Sequence, residues 1–369
     1  MHILAICTYP PIECGIATYS KWLLDELRQT AGVAVSVITL PGGLGENVFP
    51  VYDPENFSSI QNVKALAAEL RPDIVHIQHE YGLYGPNRGI GVLDMYRYFQ
   101  NASIPVVTTF HTVHNDLDET KRGLLQGLVA FSSQIIVHEE YQRQLLIDQI
   151  GESVGRKVSV IDHGVRIVEP IRNGKERFGL EGKLIVLLCG YIRPRKAFHK
   201  IIELFPDVSN VVPEAVLVLA SILRRPTEYV SYQQALLEQI QMSPCADRIR
   251  VIKGELPHEM LDSIISAADV VVLPYEDGAQ SGILSNCLAF HRPVITSDLP
   301  AFCAILERTR AGIVARNREE YVEGIIDVLQ NPQTRLRFES NASRYVAARA
   351  SWPAVAQLHT QIYQNLLRQ

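Results

Sequence analysis

Short apolar runs recur along the chain, separated by longer stretches in which apolar and polar positions follow helical spacing. In the first half the runs are His2–Cys7, Val33–Thr39, Ile74–Gln78, Val106–Thr109, Gln134–His138 and Val158–Ile161. They resume at Leu184–Cys189, Ala215–Ala220, Arg248–Ile252, Val270–Leu273, Val294–Thr296 and Gly312–Val314. Each run is continuously apolar rather than alternating, which predicts strands buried on both faces and therefore parallel sheets covered by helices. Strands alternating with amphipathic helices predict a doubly wound α/β architecture. The polar, Gly- and Pro-containing stretch Gly164–Gly182 interrupts the pattern and is expected to link two Rossmann-like halves. The expected domains are 1–170, 171–350 and a closing helix in 351–369, where Trp352–Leu367 is amphipathic and could cross back to the first half. Each half opens on a buried strand that ends at a Gly-bearing loop. Ligands bind at the carboxyl ends of parallel strands, so both loops are expected to border one cleft.

Composition narrows the classes. A chain of 369 residues, 47% hydrophobic and 20% charged, fits a soluble protein with sizeable cores. Its net charge of −5 argues against nucleic acid as a partner, which calls for a basic face. No apolar run approaches the roughly 18 residues of a membrane span, and the N-terminus enters a strand without the features of a signal peptide. The cysteines Cys7, Cys14, Cys189, Cys245, Cys287 and Cys303 are scattered without C-x-x-C spacing, which predicts reduced thiols in a cytoplasm rather than a disulfide frame or a zinc site.

Candidate chemistry concentrates at strand ends. In Asp269–Asp298 a strand is followed by a loop of small residues (Gly278, Ala279, Ser281, Gly282) and a helix-like run, Ile283–Phe290. A loop that opens a helix presents backbone N–H groups and the positive end of the helix dipole, which suits a diphosphate. Arg193, Arg195 and Lys196 in GYIRPRK follow another strand of the same half and could supply cations to phosphate oxygens, or form a solvated basic loop. In the first half, Gly15 precedes the helical run Ile16–Leu27 and would allow close approach of a ligand, or serve a tight turn. No G-x-G-x-x-G fingerprint is present, which disfavours a nicotinamide or flavin enzyme. His111, in TTFHTVHND, ends a strand and could bond a sugar hydroxyl or handle a proton; His114 is a weaker candidate. His79, Glu80 and Tyr81 in HIQHEYGLYG could line an acceptor site, or form a polar turn with aromatic packing. His163 reads as a turn before the linker, and Glu276 and Asp277 as a solvated turn rather than a metal site.

Taken in order, these pieces resemble the retaining, nucleotide-sugar-dependent glycosyltransferases of family 4, which have the GT-B fold of two Rossmann-like domains. The resemblance runs from YPP-x-x-CGIATY through TTFHT and DHGV to GYIRPRK, IKGELPHEMLDSIISAADVVVLPY, QSGILSNCLAFHRPVITSD and SWPAVAQLHTQIY. It implies catalytic roles for His111, Arg193 and Lys196, the last two neutralising a diphosphate leaving group. It implies donor contacts for Gly15, Gly190, Gln280, Ser281, Gly282, Ile283 and Asn286, and an acceptor region at His79, Glu80 and Tyr81. The family's usual pair of glutamates is replaced by Gly278 and Asn286, as in a variant branch carrying Gln-Ser-Gly, and Tyr191 stands where many members have arginine.

The resemblance thus implies transfer of a hexose from a nucleotide diphosphate sugar to a hydroxyl acceptor (a sugar, oligosaccharide or glycolipid) with retained anomeric configuration. GDP-mannose is the first expectation for the donor and UDP-glucose the second. No cofactor and no obligatory metal are expected. Weak peripheral membrane contact would accompany a glycolipid acceptor, although GIATYSKWLLDELRQ mixes acids with its bases and makes a poor anionic-membrane surface. Two rivals are a nucleotide-sugar epimerase of the same fold and a non-catalytic nucleotide-sugar-binding protein.

Overall fold

The computed structural model describes residues 1–169, 171, 173–222, 229–252, 257–277 and 281–368. The chain divides into two compact units, Met1–Gly164 with Arg349–Gln369, and Val165–Ala348.

The first unit holds a parallel sheet of β1 (His2–Ile6), β2 (Ala34–Ile38), β3 (Val48–Phe49), β4 (Ile74–His79), β5 (Val106–Phe110), β6 (Gln134–Val137) and β7 (Val158–Val160), in the order β3-β2-β1-β4-β5-β6-β7. The chain builds outward in one direction from β1 and then in the other from β4. The strand order therefore reverses between β1 and β4, the position where open α/β sheets bind ligands. Successive side chains of a strand point to opposite faces, and the core divides accordingly. Leu4 and Ile6 join one apolar cluster with the helices Ser59–Leu70, Leu93–Asn101 and Glu119–Phe131. Ile3, Ala5 and Cys7 join the other, with the helix Gly15–Gln29 and the C-terminal helix Trp352–Leu367.

That second face also buries polar residues. His76, Gln78, Thr109, His111, His138 and His359 lie there, all buried. Tyr363 Oη is 2.7 Å from His76 Nδ1, and His76 Nε2 is 2.8 Å from Thr109 Oγ1. Trp352 packs edge-on against Tyr19, 5.1 Å between ring centroids, and lies flat on the backbone of Gly164. A Cβ at Gly164 would come within 2.3 Å of the Trp352 ring.

The second unit holds β8 (Leu184–Tyr191), β9 (Ala215–Ile222), β10 (Ile249–Ile252), β11 (Val270–Leu273), β12 (Val294–Thr296) and β13 (Gly312–Val314), all parallel, in the order β10-β9-β8-β11-β12-β13. Its reversal lies between β8 and β11. The stretch expected to be a linker is instead tied to this unit. Arg166 makes a bidentate pair with Asp262 at 2.7 and 3.0 Å, Lys175 pairs with Asp269 at 2.8 Å, and Arg177 Nη1 donates to Ser263 Oγ at 2.6 Å. β3 was not expected: two half-buried residues are too few to show a period. All six cysteines are free.

Two outcomes follow from this packing. Trp352→Ala should lower the unfolding free energy by about 3–5 kcal/mol, and Gly164→Ala by about 1–3 kcal/mol, in chemical denaturation. The second outcome concerns acid. Burial lowers the pKa of several histidines, most strongly His79 and His138 to about 3, His359 to about 4, and His76 and His111 well below the usual value. The unfolded chain takes up these protons below about pH 6.5, while the native state does not. Stability is therefore complete above about pH 6.5 and is lost on acidification, by up to about 1.4 kcal/mol per pH unit for each histidine. Melting temperatures measured from neutral pH down to about pH 4 should fall steeply, and a flat profile would contradict the neutral state of these histidines.

Candidate functional site

In the first unit the chain leaves β1 through a loop that ends at Cys14, and Gly15 begins the helix Gly15–Gln29. Cys14 provides no side-chain cap, so the helix's first N–H groups have no such partner. A Cβ on Gly15 would meet nothing within 4 Å, so packing does not demand glycine here.

His79, Glu80 and Tyr81 stand at the end of β4. His79 is 1% exposed, stacks on Tyr84 and meets Tyr81 and Phe110 edge-on; neither ring nitrogen has a partner among the described residues. Tyr81 is buried as well, which pushes its pKa up to about 12, and its ring lies 5.0 Å from that of His114. Glu80 is half-buried, accepting from Thr112 Oγ1 at 2.6 Å and from the Tyr81 N–H at 2.9 Å. Of the three, Glu80 is the one with appreciable exposure.

His111 follows β5 directly and is held on two sides. Its Nε2 is 2.8 Å from Gln78 Oε1, and its carbonyl accepts from Gln142 Nε2 at 3.3 Å. Gln142 is itself fixed, because its Oε1 accepts from the N–H groups of His138 and Glu139 at a helix start. Tyr19 meets the His111 ring edge-on at 4.9 Å, and the His138 ring lies 5.3 Å away.

In the second unit β8 runs through Gly190 to Tyr191. Gly190 has φ of +111°, a conformation that favours glycine, and a Cβ there would press on the Ile283 side chain at 3.3 Å. Arg193 precedes the one-turn segment Pro194–Lys196, and its guanidinium carbon lies 5.9 Å from the Tyr191 ring centroid. Two bonds join this turn to the segment after β11: Glu276 N–H donates to the Arg195 carbonyl at 2.8 Å, and Arg195 Nη1 donates to the Asp277 carbonyl at 3.2 Å. Lys196 Nζ lies 3.3 Å from the centroid of the Tyr275 ring and has no carboxylate partner among the described residues. Burial, and then the neighbouring Arg195 and Arg193, lower its pKa to about 7.

The helix Gly282–Ala289 starts beside this turn. Ser281 caps it, accepting from the Leu284 N–H at 3.4 Å, and no Cβ contact would be made at Gly282. Gln280 and Gly278 lie outside the described residues. Asn286 Oδ1 is 3.4 Å from Arg166 Nη2, the same guanidinium that Asp262 neutralises. The second unit therefore gathers Gly190, Arg193, Lys196, Ser281, Gly282 and Ile283 at one switch point, while the first gathers Gly15, Glu80 and His111 at another. Among the described residues no group of His, Cys, Asp and Glu could hold a metal ion, and no helix is long and apolar enough to cross a membrane.

Sequence reading missed Gln78, His76, Tyr363, Tyr275 and the Arg166–Asp262 pair. One signal was available. His76 and Gln78 are polar at alternate positions of an otherwise apolar run, which places them on a single face of a buried strand.

Residues 14–168 match the family described as Glycosyltransferase Family 4, and residues 171–345 the family described as Glycosyl transferases group 1. The chain is 27% identical to alpha-D-kanosaminyltransferase of Streptomyces kanamyceticus over 52% of its length and 48% of that protein's, so it spans about half of this relative. It is 23% identical to phosphatidyl-myo-inositol mannosyltransferase of Mycobacterium tuberculosis over 99% of its own length and 97% of that chain. Among solved structures, Anabaena HepE in complex with UDP and glucose superposes with a TM-score of 0.72 at 15% identity, covering 99% of this chain and 100% of that one. The two family matches run in sequence along nearly the whole chain, and both units have the parallel Rossmann-like build of the GT-B class: the chain belongs to the family 4-like glycosyltransferases.

Proposed function

We propose that the protein transfers a hexose from a nucleotide diphosphate sugar to a hydroxyl acceptor, with retention at the anomeric carbon. One observation carries the reading: an ammonium group, largely buried and without a carboxylate partner among the described residues, rests on the Tyr275 ring at a strand end that also opens a helix. A cation placed so has no counter-charge of its own and suits an incoming anion. Cleavage of the donor leaves a nucleoside diphosphate, and charge builds on its oxygens in the transition state. Lys196, Arg193 and the N–H groups at Gly282–Ile283 are the groups we assign to that charge. With these fixed donors the reaction is proposed to need no metal, so chelation should leave turnover unchanged. In the first unit His111 is assigned to the transferred sugar, and Glu80 to the acceptor side. Attack from the face of the departing phosphate, which takes the acceptor's proton, would give retention without an enzyme nucleophile.

GDP-mannose is the first choice of donor, favoured by the full-length likeness to a mannosyltransferase; UDP-glucose is the second, favoured by the likeness to a protein solved with UDP and glucose. A thermal-shift panel of GDP, UDP and ADP should show selective stabilisation by one of them. Arg193→Ala and Lys196→Ala should each abolish turnover without a fall in melting temperature. Near-normal turnover in both would sink the diphosphate assignment.

Lys196 also sets a pH dependence. Its free-state pKa of about 7 means the ammonium is lost as pH rises through neutrality, whereas a bound diphosphate raises that pKa. Affinity for the nucleotide sugar should be level below about pH 7 and weaken by up to roughly tenfold per pH unit above it. Calorimetric titration should find proton uptake on binding near pH 8, and Lys196→Arg should abolish both effects.

A further inference from the structure

Beneath His111 runs an unbroken line of buried polar side chains. Gln78 Oε1 lies 2.8 Å from His111 Nε2, Gln78 Nε2 lies 3.2 Å from His76 Nε2, and His76 Nδ1 lies 2.7 Å from Tyr363 Oη on the C-terminal helix. We propose that Gln78 is a positioning residue: it holds His111 as the tautomer protonated on Nε2, so that Nδ1 is left as a hydrogen-bond acceptor, and the line to Tyr363 sets this orientation from the C-terminal helix. The inference rests on the reading above that His111 meets the transferred sugar.

Donors and acceptors along the line fix the tautomers. An amide has one accepting end and one donating end, so the two ends of Gln78 impose opposite roles on the histidines they face. The carbonyl end requires a proton on His111 Nε2. The amino end requires a lone pair on His76 Nε2, which places the His76 proton on Nδ1, toward the Tyr363 oxygen. Each ring is neutral and each has one proton, so every link in the line is satisfied, and the Thr109 hydroxyl, 2.8 Å from His76 Nε2, faces the same lone pair as a second donor. Reversing any one link would set donor against donor at a fully buried site, where an unmade bond is costly. The groups around the His111 ring are themselves neutral. Tyr19 packs on it from the helix Gly15–Gln29, His138 faces it from the end of β6, and His163, His76 and His79 lie farther off; the histidines among them oppose a positive charge on His111. Gln78 therefore selects between two neutral forms of the ring and leaves its charge alone. A ring whose Nδ1 accepts can take a bond from a sugar hydroxyl, which a ring protonated at Nδ1 cannot.

Nitrogen NMR of the histidine-labelled full-length protein reads the tautomer directly. The expected spectrum has His111 protonated on Nε2; protonation on Nδ1 in the wild type would overturn the proposal. Gln78→Met, similar in length but without the amide, should lower kcat by about tenfold or more with little change in donor KM, and should show His111 as a mixture of tautomers. Gln78→Glu sets a carboxylate against Nε2–H and favours the imidazolium. It should add an acid limb to the pH profile of kcat near neutrality that the wild type lacks, with activity recovering as pH rises. Wild-type kcat, pH profile and nitrogen spectrum in both variants would refute the role of Gln78. His111→Ala separates the two readings. If it loses turnover while Gln78→Met does not, the positioning role alone fails. If His111→Ala turns over normally, the assignment of His111 to the sugar fails, and the spectra still decide what sets its tautomer.

Discussion

The structure depends on one constraint: the polar side chains that β4 and β5 bury on one face of a parallel sheet are held by bonds to each other. Strand interiors of such sheets are ordinarily apolar on both faces. Here β4 and β5 place His76, Gln78, Thr109 and His111 on one face, and a residue from the other end of the chain, Tyr363, completes the set. Buried polar groups left unpaired are expensive, so the helix that brings Tyr363 supplies hydrogen bonding as well as apolar cover. This links the folding of the first unit to the geometry at the strand end where His111 sits.

The second unit manages a charge differently. Arg166 is neutralised by Asp262 and Lys175 by Asp269, whereas Lys196 has an aromatic face in place of a carboxylate. A cation over a ring retains its attraction for anions, while one in an ion pair has largely spent it. Its burial costs stability when no anion is bound: the unfolded chain holds the proton more firmly, so the cost grows as pH falls from the usual lysine pKa to about 7 and stays constant below. Asn286 shows the converse. Where the resemblance leads to the expectation of a glutamate, this chain has a neutral amide beside a guanidinium that Asp262 has already balanced.

Much of this architecture was legible in the sequence because strands buried on both faces read as continuous apolar runs, and the runs mark their ends as well as their middles. The residues at those ends, among them Gly190, Lys196 and His111, were therefore placed at strand termini correctly. What could not be read was pairing across distance. The run 164–182 looked like a linker because composition does not distinguish a solvated charge from a paired one; Arg166 finds its partner 96 residues away. The same limit hid Tyr275 beneath Lys196 and Tyr363 beside His76. β3 escaped because it is a bridge of two residues, held by its neighbour β2 rather than by its own pattern.

The contact of Trp352 with Gly164 has a consequence for how the protein is made. The chain leaves the first unit at Gly164 and rejoins it at Arg349, so the whole second unit is an insertion between a sheet and the helix that covers it. A ribosome delivers the sheet before the second unit and its covering helix after it. Until Trp352–Leu367 emerges, the histidine-bearing face of that sheet lacks Trp352, Val355 and Tyr363, while the second unit already has every residue of its own sheet. Synthesis thus completes the later unit first, and the earlier one waits with an open flank for as long as the insertion takes to translate.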